Sequence, residues 1–280
     1  MTVGLLYSIL RLDEKLILQA AEKNHVNILR IDVSKHNFNP SLWKQKVDVV
    51  VERCISRTQG LQGVLFFESL GIPVISSSEI AFKCENKFYT SLLLQKNNIP
   101  TIPFALVFNE SEAKKAVKSL GGYPIVLKPI SGSWGRMIAK VNDDDALEAL
   151  VEHKNFLGSS QHKVLYMQQF IKKPGRDIRV TVVGKEVVCA IYRETDHWIT
   201  NTARQAVARN CPLDKDLIAI CKKVTKVIGE GVLGIDVFET KKGYVINEVN
   251  NTAEFKNVQR VTGVDVGEKI IKYAIKQKKL

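Results

Sequence analysis

A lysine followed by a loop rich in glycine and serine is the first feature of the sequence that suggests chemistry. Lys128 ends a predicted apolar strand, and residues 129–136 (PISGSWGR) follow it. Glycines let a backbone approach a phosphate group closely, so that N–H groups bind its oxygens, and a lysine ammonium offsets its charge. The spacing matches neither a Walker A loop nor the GxGxxG motif. The loop therefore indicates a phosphate site, with a plain β-hairpin turn as the alternative.

Two acidic residues and an asparagine lie on two predicted strands near the end of the chain. Asp236 is in the middle of an apolar strand, while Glu248 and Asn250 are two residues apart and share one face of the next strand. Carboxylate and amide oxygens suit Mg²⁺ that also binds phosphate. A buried strand carboxylate without a cation partner is costly. The pattern therefore favours a metal site over a half-exposed sheet with polar residues facing water.

Other polar residues are less specific. Residues 172–179 (KKPGRDIR) form a basic turn that either binds phosphate or, as composition favours, lies on the surface. Arg193, near a strand end, can clamp a carboxylate with two hydrogen bonds. Cys54 has no identifiable base, so we expect a small buried hydrophobic residue. A lone helical lysine such as Lys87 indicates little by itself.

The elements that must position these residues change along the chain. Up to about residue 85, short apolar runs alternate with amphipathic stretches, which predicts an α/β unit with a parallel sheet. The remainder reads as α+β, with two strands at 231–239 and 243–250 expected to pair. We therefore expect three lobes, which are an N-terminal α/β domain (1–85), a central lobe (86–165) and a C-terminal lobe (166–280).

Composition limits the class of protein. A chain of 280 residues with 45% hydrophobic and 25% charged residues is globular rather than disordered. No apolar run approaches the roughly 20 residues of a membrane helix, and five scattered cysteines without a CxxC pair favour a reducing, cytoplasmic setting. The net charge of +12 favours an anionic partner. Its lysines are dispersed without a recognised nucleic-acid-binding module, so we expect neither nucleic acid nor a membrane as partner.

These features follow one another along nearly the whole chain, and in this order they resemble those of the ATP-grasp superfamily. The most specific stretches are KPISGSWGR, KPGRDIRV, HWITNTAR, GIDVFE and NEVNNTAEFKN. Within the superfamily the chain is similar to the RimK-like ligases, and most closely to the LysX family of α-aminoadipate–LysW ligases. The resemblance implies a three-lobed ATP-grasp fold with an N-terminal α/β pre-ATP-grasp domain.

The resemblance also implies an activity. ATP would convert the γ-carboxylate of the C-terminal glutamate of LysW, a small acidic carrier protein, into an acyl phosphate. The amino group of α-aminoadipate would then displace phosphate, in a step of lysine biosynthesis that uses ATP and Mg²⁺. Positioning and charge neutralisation carry such chemistry without a nucleophilic side chain. A basic enzyme suits an acidic carrier, and relatives form homodimers or homotetramers.

Family roles carry over to the matching positions of this sequence. Lys128 and Arg193 are the catalytic candidates. The resemblance assigns ATP binding to Lys87, Lys128, Ser131, Gly132, Ser133, Trp134, Gly135, Arg136, Met137, Gln168, Gln169, Phe170, Ile171, Arg179 and Asn201; metal binding to Asp236, Glu248 and Asn250; and amino-acid binding to Arg193, Asn201, Thr202, Asn251, Thr252 and Asn257.

Two departures from the family pattern bear on the acceptor. Gln205 and Ala206 stand where two glycines are common, and Asn257 is followed by Val258, where a threonine or serine is common. A valine has no hydroxyl that can hydrogen-bond a carboxylate. The choice between α-aminoadipate and glutamate therefore stays open, as does a ligase that adds an amino acid to another peptide or small molecule.

Overall fold

Three β-sheets, nine α-helices and one short 3-10 helix (Ser160–Lys163) make up the parts of the chain that the computed structural model describes, residues 1–132, 135–200 and 206–278. The first sheet contains β1 (Thr2–Tyr7), β2 (Asn27–Asp32), β3 (Val49–Glu52) and β4 (Val74–Ile75); the second contains β5 (Phe104–Val107), β6 (Ile125–Lys128), β7 (Ala139–Val141) and β8 (Leu165–Gln169); the third contains β9 (Arg176–Gly184), β10 (Glu186–Glu194), β11 (Val207–Cys211), β12 (Gly231–Thr240) and β13 (Gly243–Asn250). The helices are α1 (Leu12–Lys23), α2 (Arg57–Ser69), α3 (Ser78–Glu85), α4 (Lys87–Lys96), α5 (Glu110–Ser119), α6 (Asp144–Leu157), α7 (Lys215–Ile228), α8 (Lys256–Thr262) and α9 (Val266–Lys276).

The first sheet is parallel, with strand order β2-β1-β3-β4, as the alternation of strands and helices predicts. Every residue of β3 is buried, which is usual for a parallel strand covered on both faces. Helix α2 begins after Ser56, whose hydroxyl accepts a hydrogen bond from the Gln59 amide at 3.3 Å. A Cβ atom at Gly60 would lie 2.5 Å from Glu52 Oε1, so glycine allows α2 to pack directly onto the end of β3.

The other two sheets are antiparallel. The second has the order β5-β8-β6-β7 and packs against α5 and α6. The third has the order β11-β10-β9-β12-β13 and packs against α7. The predicted pairing of residues 231–239 with 243–250 is confirmed, since β12 and β13 are antiparallel neighbours. The mixed α/β and α+β fold class is also confirmed, whereas α3, β11 and α8 are elements that the sequence did not predict.

One hydrophobic core joins the first sheet to the third. Helix α9 buries Val266, Ile270 and Ile271 between α1 and the outer face of the third sheet, where Cys189 and Val232 contribute. The N-terminal unit is therefore fixed against the end of the chain, and the loops between these units come together around one cleft. Among the described helices, none is long and apolar enough to cross a membrane.

Candidate active site

Two adjoining cavities lie where the three sheets meet. The larger has a volume of about 320 Å³ and lies between the N-terminal unit and the third sheet. The smaller has a volume of about 90 Å³ and lies between the second and third sheets. Four residues line both cavities and form a common wall, namely Gly135, Arg193, Asp236 and Glu248.

Lysines from two elements converge on Glu248. The Lys87 Nζ atom, at the first turn of α4, lies 3.3 Å from Glu248 Oε2 and donates a hydrogen bond of 2.8 Å to the Gly132 carbonyl. The Lys128 Nζ atom donates to Asn247 Oδ1 at 2.8 Å. Burial lowers the pKa of Lys128 to about 8, although Glu248 opposes the shift. Burial alone would raise the pKa of Glu248, but Lys87 and Lys128 outweigh it and hold that pKa well below its usual range, so the carboxylate is ionised.

The Asp236 carboxylate is neutralised by two arginines. Antiparallel pairing sets Asp236 opposite Glu248 on β13 and opposite Arg179 on β9. Arg179 is hydrogen-bonded to both carboxylate oxygens of Asp236, and Arg193 Nη2 lies 3.0 Å from Oδ2. The sequence argument for a metal ligand at Asp236 assumed that a buried strand carboxylate had no cation partner. That assumption is wrong, because β9, next to β12, and β10, one strand further, supply two guanidinium groups.

A second buried carboxylate holds Arg193 in place. Asp177 accepts hydrogen bonds of 2.7 and 2.8 Å from Arg193 Nε and Nη2, and a third of 2.5 Å from the Thr200 hydroxyl. Burial would lower the pKa of Arg193, but Asp236 and Asp177 raise it above its ordinary value. Arg193 is therefore a fixed cation in the wall between the two cavities.

The smaller cavity is lined by residues 168–171 of β8 and the segment after it, together with apolar side chains such as Ile102 and Val126. Gln168 is buried, and its Oε1 atom has no hydrogen-bond partner among the described residues. An adenine ring presents N–H donors that suit such an acceptor in an apolar slot. The smaller cavity therefore fits a nucleotide base.

Most of the basic turn lies on the surface, as expected, since Lys172, Pro174 and Gly175 are exposed, but Lys173 is half-buried. Its Nζ atom donates to Thr200 Oγ1 at 2.8 Å, lies 4.5 Å from the centre of the Phe238 ring, and lines the smaller cavity. Burial lowers the pKa of Lys173 to about 8, while Asp177 opposes the shift. Contacts that are distant in sequence cover part of this lysine, which the local sequence did not predict.

Two arginines that the sequence analysis missed line the larger cavity from the N-terminal unit. Arg11 is paired with Glu14 at 2.9 Å and with Glu254 at 3.0 Å. Arg57, the first residue of α2, donates from Nη2 to Asn250 Oδ1 at 2.9 Å. Neither belongs to a recognisable motif, and only the packing of the N-terminal unit brings them to the site.

The predicted amino-acid-binding residues reach the larger cavity only in part. Thr252 and Asn257 line it, and the Thr252 hydroxyl donates to Glu52 Oε2 at 2.8 Å. Asn251 instead donates to Thr252 Oγ1 at 3.3 Å. Val258 forms part of the cavity floor but is 1% exposed, and it belongs to the core between the first and third sheets. Its side chain has a packing role, which accounts for an apolar residue at this position.

The remaining predicted positions surround the cavities or lie outside the described residues. Ser131 Oγ donates to Glu85 Oε1 at 3.3 Å, and Gly132 accepts from Lys87. Arg136 and Met137 are exposed beyond the cavity wall. Gln169, Phe170 and Ile171 line the smaller cavity, and Arg179 lines the larger. Ser133, Trp134, Asn201 and Thr202 lie outside the described residues.

The oxygen donors at the common wall fit Mg²⁺ in combination with phosphate. Glu248 and Asn250 share one face of β13, and Asn250 Nδ2 donates to Glu248 Oε1 at 3.0 Å. Within the described ranges, no three His, Cys, Asp or Glu side chains are grouped so as to hold a metal by themselves. Magnesium typically takes only one or two protein carboxylates and completes its shell with water and substrate phosphate. The donor chemistry therefore suits a metal that arrives with a nucleotide.

Three sheets with lysines and strand carboxylates around two adjoining cavities are typical of an ATP-dependent carboxylate–amine ligase. Residues 84–274 match the RimK-like ATP-grasp domain, and residues 3–82 match the LysX preATP-grasp domain. The chain belongs to the RimK-like ATP-grasp family, whose members use ATP, and the resemblance inferred from the motifs is confirmed.

Two characterised relatives and one solved structure show how far the similarity extends. The α-aminoadipate–LysW ligase LysX of Sulfurisphaera tokodaii is 36% identical over 278 residues, which cover 97% of each chain. The glutamate–LysW ligase ArgX of Sulfolobus acidocaldarius is 34% identical and covers 98% of each chain. The RimK domain protein ATP-grasp of Sphaerobacter thermophilus superposes with a TM-score of 0.82 at 24% identity, covering 98% of this chain and 100% of that one.

Proposed function

We propose that this enzyme joins the amino group of α-aminoadipate to the γ-carboxylate of the C-terminal glutamate of an acidic, LysW-type carrier protein. The observation that carries the proposal is the common wall of the two cavities, which contains Arg193, Asp236 and Glu248. A nucleotide in the smaller cavity and an amino acid in the larger one would meet there. The LysX relative, similar over nearly the whole chain, supports this choice of substrates.

In this proposal the smaller cavity holds ATP. Residues 168–171 and the apolar side chains around them would hold the base. The triphosphate would extend toward Lys128, Lys173 and Lys87, with the glycine loop beside it. The low pKa values of Lys128 and Lys173 reflect cations buried without enough negative charge, which phosphate groups would supply.

Glu248, Asn250 and Asp236 would hold Mg²⁺. When bound, the metal offsets charge on the phosphoryl group during transfer. Glu248 is ionised and needs no proton loss before it can serve as a ligand. Arg179 and Arg193, which pair with Asp236, also line the larger cavity, so substrate anions there would share these two cations.

The protein's own groups position the reactants and neutralise charge. Lys128 and Lys87, next to Glu248, would neutralise the phosphate groups, and Arg193, which lines both cavities, would neutralise charge on the reacting carboxylate. Preorganised cations of this kind stabilise charge that develops during acyl transfer. Cys54 lines the larger cavity, but burial and the nearby Glu52 raise the pKa of its thiol. It stays protonated, so a cysteine nucleophile has no place in the reaction.

Glutamate is the second candidate acceptor, because the ArgX relative covers the chain as completely as the LysX relative does. The larger cavity presents cations from both flanking units, including Arg57 and Arg179, and therefore suits an acidic amino acid of either length. The net charge of +12 favours docking of an acidic carrier by electrostatic steering. We expect the enzyme to act as a homodimer or homotetramer, like its family.

The test is release of ADP from ATP and Mg²⁺ with α-aminoadipate or glutamate, each with and without purified carrier from the same organism. We expect turnover only when the carrier and α-aminoadipate are both present. A carrier that lacks its C-terminal glutamate is the matched control and should support none. Turnover with glutamate instead would assign the enzyme to the second candidate. Equal ADP release with the truncated carrier would refute the carrier-dependent reaction.

A further inference from the structure

Arg57 differs from the other cationic groups in the wall of the larger cavity because no described residue gives it a carboxylate partner. Arg179 and Arg193 are paired with Asp236, Arg11 with Glu14 and Glu254, and Lys256 lies 3.9 Å from Glu254. Within the described parts of the chain, no carboxylate oxygen lies within 4.0 Å of the Arg57 guanidinium nitrogens. A cation left in this state is a binding group for an anion.

The guanidinium also has an unused hydrogen-bond donor. Arg57 Nη2 donates to Asn250 Oδ1, but Nη1 is inaccessible to solvent and has no partner among the described residues. Burying an N–H group without an acceptor is unfavourable, so such groups usually mark a missing ligand or water. A carboxylate oxygen is the kind of acceptor that this remaining nitrogen lacks.

Arg57 is held in place at its backbone and at its guanidinium group. The Ser56 hydroxyl caps α2, and the close approach of Gly60 to Glu52 fixes the start of the helix against β3. At the other end of the side chain, Asn250 ties the guanidinium to Glu248 on β13. A carboxylate bound by Arg57 would therefore lie beside the proposed reaction centre.

We propose that Arg57 binds the α-carboxylate of the acceptor amino acid, a role that rests on the proposed ligase function. Only the α-carbon separates this carboxylate from the amine that attacks the acyl phosphate, so a cation beside Glu248 and Asn250 places the amine at the common wall. The side-chain carboxylate is several carbons further away and would meet other polar groups of the cavity wall, which include Lys256 and Asn257. The position of Arg57 thus selects the carboxylate next to the amine.

The experiment compares wild type, Arg57→Gln and Arg57→Lys. Calorimetry measures binding of the acceptor in the presence of a non-hydrolysable ATP analogue, and the kcat/KM of the acceptor is measured in the complete reaction. The ligands are the acidic amino acid that wild type prefers, its α-carboxamide and its side-chain carboxamide. Because both acidic amino acids have such a pair of amides, the test works whether α-aminoadipate or glutamate is the acceptor. Arg30→Gln, an exposed arginine on β2, is the matched control.

We expect wild type and Arg30→Gln to prefer the free acid over the α-carboxamide by about 10- to 100-fold, the range for a charge-assisted hydrogen-bonded pair. In Arg57→Gln this preference should disappear, while discrimination against the side-chain carboxamide remains. Arg57→Lys should restore part of the preference for the free acid over the α-carboxamide. If Arg57→Gln instead loses discrimination against the side-chain carboxamide, or weakens binding of the nucleotide or the carrier alone, the assignment is overturned. Failure of carrier-dependent turnover in wild type is a separate result that bears on the proposed function, because the binding comparison is made without turnover.

Discussion

Replacing Lys128 by methionine should make the ligand-free protein more stable while removing its activity. Burial lowers the pKa of Lys128 from 10.5 to about 8. Since each pKa unit corresponds to about 1.4 kcal/mol, keeping this lysine charged at pH 7 costs the folded state about 3 kcal/mol. Methionine has similar length and no charge, but it leaves Asn247 without its donor, a loss of about 1 kcal/mol. We expect the free energy of unfolding of Lys128→Met to exceed that of wild type by about 2 kcal/mol, which corresponds to a Tm higher by about 4 to 8 °C.

The gain should depend on pH in a defined direction. Between pH 8 and 10.5 the folded protein has lost the Lys128 proton while the unfolded chain still carries it. The unfolded state then binds more protons, so the stability of wild type rises with pH in this window. The advantage of Lys128→Met should be complete below pH 8 and should shrink toward pH 10.

Thermal unfolding of both proteins at pH 7 and pH 10, with and without ATP and Mg²⁺, measures these effects. Lys222→Met, at an exposed position of α7, is the control and should change Tm little at either pH. ATP should raise the Tm of wild type more than that of Lys128→Met, because a ligand that binds more tightly stabilises the folded state more. A variant less stable than wild type at pH 7, or an advantage that persists unchanged at pH 10, would refute the reasoning.

Two further substitutions test the carboxylate and the cavity floor. Glu248→Gln preserves the size of the side chain but removes the charge that interacts with Lys87 and Lys128. The rate of ADP release should therefore fall by at least about 100-fold, with an unchanged circular dichroism spectrum. Near-normal turnover would exclude Glu248 as a metal ligand. Val258→Thr places a hydroxyl in the core at a residue 1% exposed, so unfolding should become easier by about 1 to 3 kcal/mol while the kcat/KM ratio of α-aminoadipate to glutamate stays the same. A switch of acceptor in Val258→Thr would instead assign the specificity to this position.

Residues whose positions follow from one strand or one pair of strands could be predicted from the sequence. Alternation along β13 places Glu248 and Asn250 on one face, and a short turn after β12 makes the two strands neighbours. Lys128 at the end of β6 is likewise a local property, since an apolar run ends in a single charge before a glycine loop. These regularities predicted the fold class, and they predicted that Lys128, Glu248 and Asn250 belong to a phosphate or metal site.

Contacts between distant segments could not be predicted in this way. Arg57 reaches Asn250 across 193 residues of sequence, and Arg11 reaches Glu254 across 243. Lys173 has the composition of a surface turn, but Thr200 and Phe238 enclose it. Asp236 pairs with Arg179 on the adjacent strand and with Arg193 one strand further. The pattern of a single strand therefore predicted that Asp236 is buried, but it could not predict the arginines that neutralise its charge.

The cationic groups of the site share a physical feature, which is that together they carry more positive charge than the carboxylates around them neutralise. Lys128 and Lys173 have lowered pKa values, and Arg57 keeps a buried nitrogen without a described partner. Each of these groups is unfavourable in the ligand-free fold, and each faces a cavity that would hold a phosphate or a carboxylate. Binding of anionic substrates then relieves the same electrostatic strain that lowers the stability of the free protein. Affinity for those substrates and marginal stability of the cleft are therefore two consequences of one charge arrangement, and substitutions that stabilise the cleft should weaken binding.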